Sequence, residues 1–155
     1  MTVYYLDASA WVKRYAQEVG TTWLRAFLGE RHATACSTLG LVEVTATLSR
    51  QHKTGQLTTE LFRQKIGDLD NDWAAMIRVD VTDEVVKRSR SVTQALATRG
   101  ADSVHLATAQ LLADGIKAQN EQLVLIASDR ELLAAARASG LTALDPVEEE
   151  RMTAP

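Results

Sequence analysis

The sequence predicts an α/β protein, with a mostly parallel central sheet of four to five strands flanked by helices. Short apolar runs alternate with longer segments of helical periodicity along the chain, which is the pattern of a largely parallel sheet. The 155 residues contain no internal repeat, no low-complexity tract and no long linker. A chain of this length can bury a full hydrophobic core, so we expect a single domain.

Short apolar runs mark the strands. Each run is bounded by polar or turn-forming residues and is too short for a helix. The four clear strands and one weaker candidate, named last, are 3–6, 33–36, 76–81, 123–127 and 142–144.

Segments of helical periodicity fill the intervals between these strands. Two of them follow one another, joined by "KTGQLT", where Gly55 can end one helix and Thr58 can cap the next. This pair is expected to form a helical hairpin beside the sheet. The predicted helices are 9–17, 21–30, 38–52, 58–74, 83–99, 102–118 and 130–139.

The acidic C-terminal tail, residues 146–155, is expected to lie outside the domain formed by residues 1–145. It follows an Asp-Pro pair, which favours a turn, and it is charged and poor in apolar residues. We expect the tail to fray or to dock on a partner.

Composition restricts the compartment and the kind of site. With Cys36 as its one cysteine, the chain cannot form an internal disulfide or a zinc cluster of several thiolates. It shows neither a signal-peptide pattern nor an apolar run long enough for a membrane helix, so a cytoplasmic protein without membrane contact is expected. A net charge of -3 argues against a general nucleic-acid coat protein.

Four carboxylates occupy positions where a site could form. Asp7 closes the first predicted strand, and Asp129 follows the fourth. Asp102 opens a predicted helix two residues after Gly100, and Glu43 lies inside a helix between two valines. In an open parallel sheet, ligands bind at the carboxyl ends of the strands, where Asp7 and Asp129 are expected.

Helix capping is the alternative explanation for three of these acids. A capping box starting at Ser128 would place Asp129 in a first helical turn, where negative charge is favourable. Asp102 could itself be an N-cap, and Asp7 could precede a cap at Ser9.

Glu43 is not explained by capping, because it lies about one turn beyond the predicted helix start. A solvated position on the helix surface is the alternative for this residue, since Thr47 and Arg50 share its approximate face. If all four acids converge, their mutual repulsion requires a cation, and an all-oxygen ligand set favours Mg²⁺ or Mn²⁺ over zinc. Such a metal activates a coordinated water and neutralises phosphoryl charge, as in metal-dependent phosphodiester hydrolysis.

Four stretches resemble, in order and spacing, the motifs of PIN-domain ribonucleases, and more narrowly the VapC toxins of type II toxin–antitoxin pairs. The stretches are "YLDASAWVKRY", "STLGLVEV", "GADSVHLATA" and "SDRELLAAARASG", and the resemblance covers about residues 3–145. It implies a PIN-like three-layer sandwich. The sequence departs from the family motifs at two places. The fourth acid is preceded by "IAS", and Trp11 stands in place of a smaller aliphatic residue.

The resemblance implies roles for the four acids. Asp7 and Asp102 would hold Mg²⁺ or Mn²⁺, Asp129 would complete the metal site, and Glu43 would orient or deprotonate the attacking water. RNA would be the substrate, with 5′-phosphate and 3′-hydroxyl products. The resemblance also implies a VapB-like antitoxin that blocks the acidic cleft, and a homodimer.

Three further residues are candidates for supporting roles. Ser9 could hold a metal-bound water or act as an N-cap, and Ser128 could orient water or phosphate. His105 shares a helix face with Asp102, so it could approach the metal site, bond to Asp102 or simply pack beneath the site.

Two other functions fit parts of the pattern. An aspartate-based phosphatase of the haloacid-dehalogenase type also begins with an acid after its first strand, but Ser9 stands where such enzymes have a second aspartate. The second alternative function is a catalytically silent module that binds RNA or protein. Trp11, Trp23 and Trp73 could stack on bases or pack in a core, and the sequence does not separate these uses.

Overall fold

Five parallel strands form one central sheet in the computed structural model, which describes residues 1–154. The fifth candidate strand is therefore present, and the predicted α/β fold is confirmed. The strand predicted at 76–81 is shorter than expected. In chain order, the strands are β1 (Thr2–Leu6), β2 (Ala33–Ser37), β3 (Ile77–Val79), β4 (Gln122–Ile126) and β5 (Thr142–Leu144).

Within the described residues, 1–154, eight α-helices surround this sheet. Within residues 1–154, none of them is long and apolar enough to cross a membrane. The helices are α1 (Ala8–Trp11), α2 (Thr21–Gly29), α3 (Thr38–Lys53), α4 (Thr59–Ala75), α5 (Asp83–Leu96), α6 (Gly100–Lys117), α7 (Arg130–Ala138) and α8 (Pro146–Thr153).

The helices pack in two layers, one on each face of the sheet. Alternate residues of β1 supply the two cores, because successive side chains of a strand point to opposite faces. Val3 and Tyr5 join the core made with α5, α6 and α7. Tyr4 and Leu6 contact the core made with α1 to α4. The molecule is thus a three-layer α/β sandwich.

The strand order is β3-β2-β1-β4-β5, so β1 is the centre of the sheet. From β1 the chain builds outward through β2 and β3, then returns to the other side of β1 with β4 and β5. The direction of winding changes between β1 and β4. Outside the carboxyl ends of these two strands lies the crevice in which doubly wound sheets bind ligands.

The predicted helical hairpin is present as α3 and α4. Gly55 has φ of +78°, the left-handed conformation that suits a glycine after a helix end. The Thr58 hydroxyl accepts a hydrogen bond from the Leu61 amide at 3.1 Å and caps α4. Both turn residues therefore act as the sequence predicts.

The first predicted helix, 9–17, is instead two short pieces. After α1 the chain tightens into a 3₁₀ turn over Val12–Tyr15. The Arg25 guanidinium donates hydrogen bonds to the carbonyl groups of Arg14 and Ala16, each at 3.0 Å. These side-chain donors take the place of the backbone bonds that would have extended the helix.

The acidic tail differs from the expectation that it frays, because it forms α8 and packs on α2. Glu150 Oε2 accepts hydrogen bonds from the amides of Thr22 and Trp23 at 3.1 and 3.2 Å. The N-cap residue of α2 is Gly20, which has no side chain to supply this cap. A residue distant in sequence therefore caps α2, a relationship that no local pattern reveals.

The tryptophans have packing roles on the α1 to α4 side of the sheet. Trp11 is fully buried and lies near Trp73, with ring centroids 6.0 Å apart. Trp23 stacks on Phe27 at 5.1 Å. These contacts favour the core explanation for Trp11.

Candidate active site

Asp7 and Asp129 are both helix N-caps at the carboxyl edge of the sheet. Asp7 Oδ2 accepts a hydrogen bond from the Ser9 amide at 3.0 Å and starts α1. Asp129 Oδ1 accepts one from the Leu132 amide at 2.9 Å and starts α7. The caps expected at Ser9 and Ser128 were therefore wrong by one or two residues. Each aspartate uses one oxygen as a cap and keeps the other for different partners.

The two serines connect the ends of β1 and β4. The Ser9 hydroxyl donates to Asp7 Oδ2 at 2.5 Å and accepts from the Ser128 amide at 2.9 Å. The Ser128 hydroxyl donates to Asp145 Oδ1 at 3.0 Å, so it is bonded to the cap of α8. Ser9 fixes the orientation of Asp7, whereas Ser128 contributes mainly its backbone amide.

His105 is buried at the centre of the site and pairs with two of the acids. Its Nε2 lies 2.5 Å from Glu43 Oε2 and 3.4 Å from Asp7 Oδ1. Its Nδ1 lies 2.8 Å from the hydroxyl of Tyr5. Only 1% of the His105 side chain is exposed, so the ring is held on both nitrogens. Of the three alternatives for His105, the bond to Asp102 is not among these contacts, and Glu43 and Asp7 are the partners.

Gly40 explains how Glu43 reaches this histidine. A Cβ atom at Gly40 would collide with the sulfur of Cys36 and would lie 3.3 Å from Cε1 of His105. Without a side chain at this position, α3 approaches both β2 and α6 closely. Glu43 follows three residues later on the same helix and meets the imidazole.

Arg99 connects the other two acids. Its Nε donates to Asp102 Oδ2 at 3.1 Å, and its Nη2 donates to Asp129 Oδ2 at 2.6 Å. The N-cap of α6 is Arg99, which makes no side-chain cap, and Asp102 lies in the first turn. The alternative that Asp102 is itself an N-cap was wrong, which leaves its carboxylate available to Arg99.

Negative charge is concentrated here. The pKa of Asp102 is raised from its ordinary value of 3.8 by burial and by the charges of Asp129 and Asp7, although Arg99 opposes the shift. Burial lowers the pKa of His105, but the hydrogen bond to Glu43 and the charges of Asp7, Glu43 and Asp102 outweigh it. The net pKa shift of His105 is upward, as expected near several carboxylates.

Exposure increases from the floor of the site to its rim. The exposed fraction of the side chain is 5% for Asp7, 15% for Asp102, 22% for Asp129 and 33% for Glu43. Asp7 thus forms the floor, and the other acids face solvent around it.

The acids meet at one edge of the sheet as two pairs. His105 lies between Asp7 and Glu43, and Arg99 lies between Asp102 and Asp129. Within residues 1–154, no three His, Cys, Asp or Glu side chains stand close enough together to hold a metal ion without adjustment. The donor set nevertheless suits a hard divalent cation, because every candidate ligand is a carboxylate oxygen.

Sequence reasoning missed several contributors to this site. Tyr5 precedes Asp7 by two residues and so shares its strand face, and Arg99 precedes Asp102 by one helical turn. Asp145 follows β5 much as Asp7 follows β1. These spacings are the signals that could have identified them, whereas nothing local marks Gly40.

Comparisons with known proteins identify relatives over almost the whole chain. The family model of the PIN domain matches residues 4–138. Ribonuclease VapC45 of Mycobacterium tuberculosis (strain CDC 1551 / Oshkosh) is 34% identical over 140 residues. That match covers 90% of this chain and 93% of the relative.

Solved structures with the same fold have much lower sequence identity. The crystal structure of PAE2754 from Pyrobaculum aerophilum has a TM-score of 0.67 at 17% identity, covering 97% of this chain and 88% of that one. A toxin-antitoxin complex from Klebsiella pneumoniae contains a chain with a TM-score of 0.61 at 15% identity, covering 92% and 96%. These two likenesses establish the fold alone.

Proposed function

Because this chain belongs to the PIN-domain family, with VapC ribonucleases among its relatives, we propose that it is a metal-dependent endoribonuclease and the toxin of a toxin–antitoxin pair. The observation that carries the proposal is the meeting of Asp7, Glu43, Asp102 and Asp129 at the switch point of the sheet. Four carboxylates on a solvent-facing edge suit a divalent cation and a phosphodiester substrate.

Asp7, Asp102 and Asp129 are the proposed ligands of Mg²⁺ or Mn²⁺. The raised pKa of Asp102 supports this assignment, because burial and the negative charges of Asp129 and Asp7 together outweigh the opposing effect of Arg99. Bound Mg²⁺ or Mn²⁺ would supply an activated water and would neutralise charge on the phosphoryl group.

The remaining residues hold or move protons around that centre. Glu43 would orient the attacking water and accept its proton, and His105 holds the Glu43 carboxylate in place. Ser9 fixes the Asp7 carboxylate through its hydroxyl. Attack on phosphorus with departure of the 3′ oxygen would leave a 5′-phosphate and a 3′-hydroxyl.

A small VapB-like antitoxin is the proposed regulatory partner. A fold relative from Klebsiella pneumoniae is described as part of a toxin-antitoxin complex, which supports the same arrangement here. The antitoxin would cover the acidic edge and exclude RNA. We also propose that the chain acts in the cytoplasm as a homodimer. A short neighbouring gene with a DNA-binding N-terminus would support the pairing, and its product should form a complex that suppresses cleavage.

Cleavage by the purified chain, freed of any partner, tests the enzymatic proposal. We expect a structured RNA to be cut with Mg²⁺ or Mn²⁺, with 5′-phosphate ends, and cutting to stop with EDTA. Asp7→Ala and Asp102→Asn should each abolish cutting. Asp114→Asn is the matched control, since Asp114 lies on the same helix as Asp102 and pairs with Arg88 at 3.5 Å.

Equal cleavage by the Asp7→Ala protein and the unchanged protein would contradict the assignment and would indicate a contaminating nuclease. A chain that binds RNA but never cuts it, with or without metal, would instead be a silent PIN-fold module.

A further inference from the structure

Arg99 holds the two acids that the proposed metal would need. Its guanidinium contacts Asp102 Oδ2 and Asp129 Oδ2 through two different nitrogens. The other oxygen of Asp129 is bonded to the Leu132 amide as the cap of α7. The oxygen of Asp129 that is not used as the cap is therefore the one that Arg99 occupies, so a cation that binds Asp129 there would compete with the guanidinium.

The backbone beneath Arg99 is anchored, so its side chain leaves from a fixed point. The Arg99 carbonyl accepts hydrogen bonds from the amide and the hydroxyl of Ser103, at 2.9 and 3.0 Å. The Ser103 hydroxyl also meets the hydroxyl groups of Thr98 and Thr93, at 2.6 and 2.7 Å. Ser103 and Thr98 are buried, which makes this loop a firm base.

The head group of Arg99 is exposed to solvent, in contrast to the buried residues that anchor its backbone. Its side chain is 69% exposed. Ion pairs at exposed positions are weak, because water solvates both partners well. A divalent cation offers twice the charge in a smaller volume, so it can displace the guanidinium at modest cost.

We propose that Arg99 is an internal counter-ion of the metal-free site, holding Asp102 and Asp129 until a divalent cation displaces its guanidinium. This inference rests on the proposed function, since it concerns the same metal. Arg99 then lowers the affinity for metal and keeps the two carboxylates ordered before metal arrives. It also accounts for the paired arrangement of the acids, in which no three of the described side chains stand ready to hold an ion.

Metal affinity in the absence of RNA is the direct test. Mn²⁺ binding to the purified full chain is measured by titration calorimetry for the unchanged protein and for Arg99→Gln, Arg99→Lys and Arg130→Gln. Arg130 neighbours Asp129 in sequence, and none of the ion pairs within residues 1–154 includes it. Its substitution therefore controls for the loss of one positive charge.

Arg99→Gln should bind Mn²⁺ about 2- to 5-fold more tightly than the unchanged protein, the range that an exposed ion pair allows. Arg130→Gln should change the affinity by less than about twofold, because it removes charge without freeing a carboxylate. Arg99→Lys should fall between them, since one ammonium cannot bridge both acids as a guanidinium does.

The unchanged protein provides an independent readout by nitrogen-15 NMR. The Arg99 Nε–H signal, identified by its loss in Arg99→Gln, should move toward that of a solvated arginine as Mg²⁺ is added. A signal that stays fixed while calorimetry detects binding would overturn the inference, as would Arg99→Gln binding Mn²⁺ no more tightly than the unchanged protein. The proposed metal dependence would instead be overturned if none of these proteins bound Mn²⁺, or if Asp102→Asn bound Mn²⁺ as tightly as the unchanged protein.

Discussion

His105 Nε2 lies 2.5 Å from Glu43 Oε2, although the two residues belong to different helices and are 62 positions apart in the chain. Glu43 is the acid that no cap explains, and this contact explains how its carboxylate is held at the rim of the site. The imidazole is itself fixed on its other side by the Tyr5 hydroxyl. Tyr5, His105 and Glu43 thus form one chain of hydrogen bonds from the sheet to solvent.

Replacing His105 with alanine should lower kcat for RNA cleavage by about 10- to 100-fold, the usual effect of losing a residue that orients catalytic groups. KM should change much less, since His105 is buried and does not face the substrate. The matched variant is Tyr5→Phe, which keeps the ring packed and leaves the contact with Glu43 intact. It should lose less activity than His105→Ala. Equal losses in the two variants would argue that general packing, and not the orientation of Glu43, is responsible.

Asp102 should make the stability of the metal-free protein depend on pH. Its native pKa is raised above the ordinary 3.8, so folding favours the protonated acid. Stability from this group is therefore present below about pH 4 and is lost as pH rises toward the native pKa. Asp102→Asn should remove this dependence and raise Tm at neutral pH in EDTA. Thermal unfolding followed from pH 4 to pH 8 measures both effects, and a lower Tm for Asp102→Asn at pH 7 would contradict the prediction.

Glu150 should stabilise the fold by capping α2 from α8. Glu150→Ala removes the acceptor of two backbone amides and should lower the free energy of unfolding by about 1 kcal/mol, measured by urea denaturation. Glu149→Ala is the control, since it removes the same charge from the same helix without touching α2. If the two substitutions lowered the free energy of unfolding equally, the hydrogen bonds from Glu150 to α2 would not stabilise the fold.

Gly40 should tolerate no side chain while Cys36 is present. Gly40→Ala forces a methyl group against the Cys36 sulfur and should cost about 1 to 3 kcal/mol of unfolding free energy, as overpacking does. Adding Cys36→Ala should recover part of that loss. Gly67→Ala, within α4 and with open space around its position, should instead stabilise by about 0.5 to 1 kcal/mol. Denaturation of the single and double variants measures the coupling, and additive costs would contradict the proposed contact.

Local sequence determined the elements and the positions of the acids. Apolar runs and helical periodicity predicted all five strands and seven of the eight helices, because strand and helix formation follow the spacing of apolar residues. Asp7 and Asp129 follow strands, so a parallel sheet necessarily brings them to one edge. Gly55 and Thr58 likewise shaped their turn through local properties. Gly55 adopts the left-handed backbone conformation, and the Thr58 hydroxyl caps the next helix.

The tertiary structure alone decided which distant residues those acids contact. Asp7 pairs with His105. Arg99 bridges Asp102 to Asp129, and Asp129 lies 30 positions from Arg99 in the chain. The C-terminal residues, which looked like a loose acidic tail, form α8 after an N-cap at Asp145, and Glu150 joins α8 to the amides of α2. Contacts of this kind depend on which faces meet after folding, and a sequence pattern with a period of two or 3.6 residues carries no record of them.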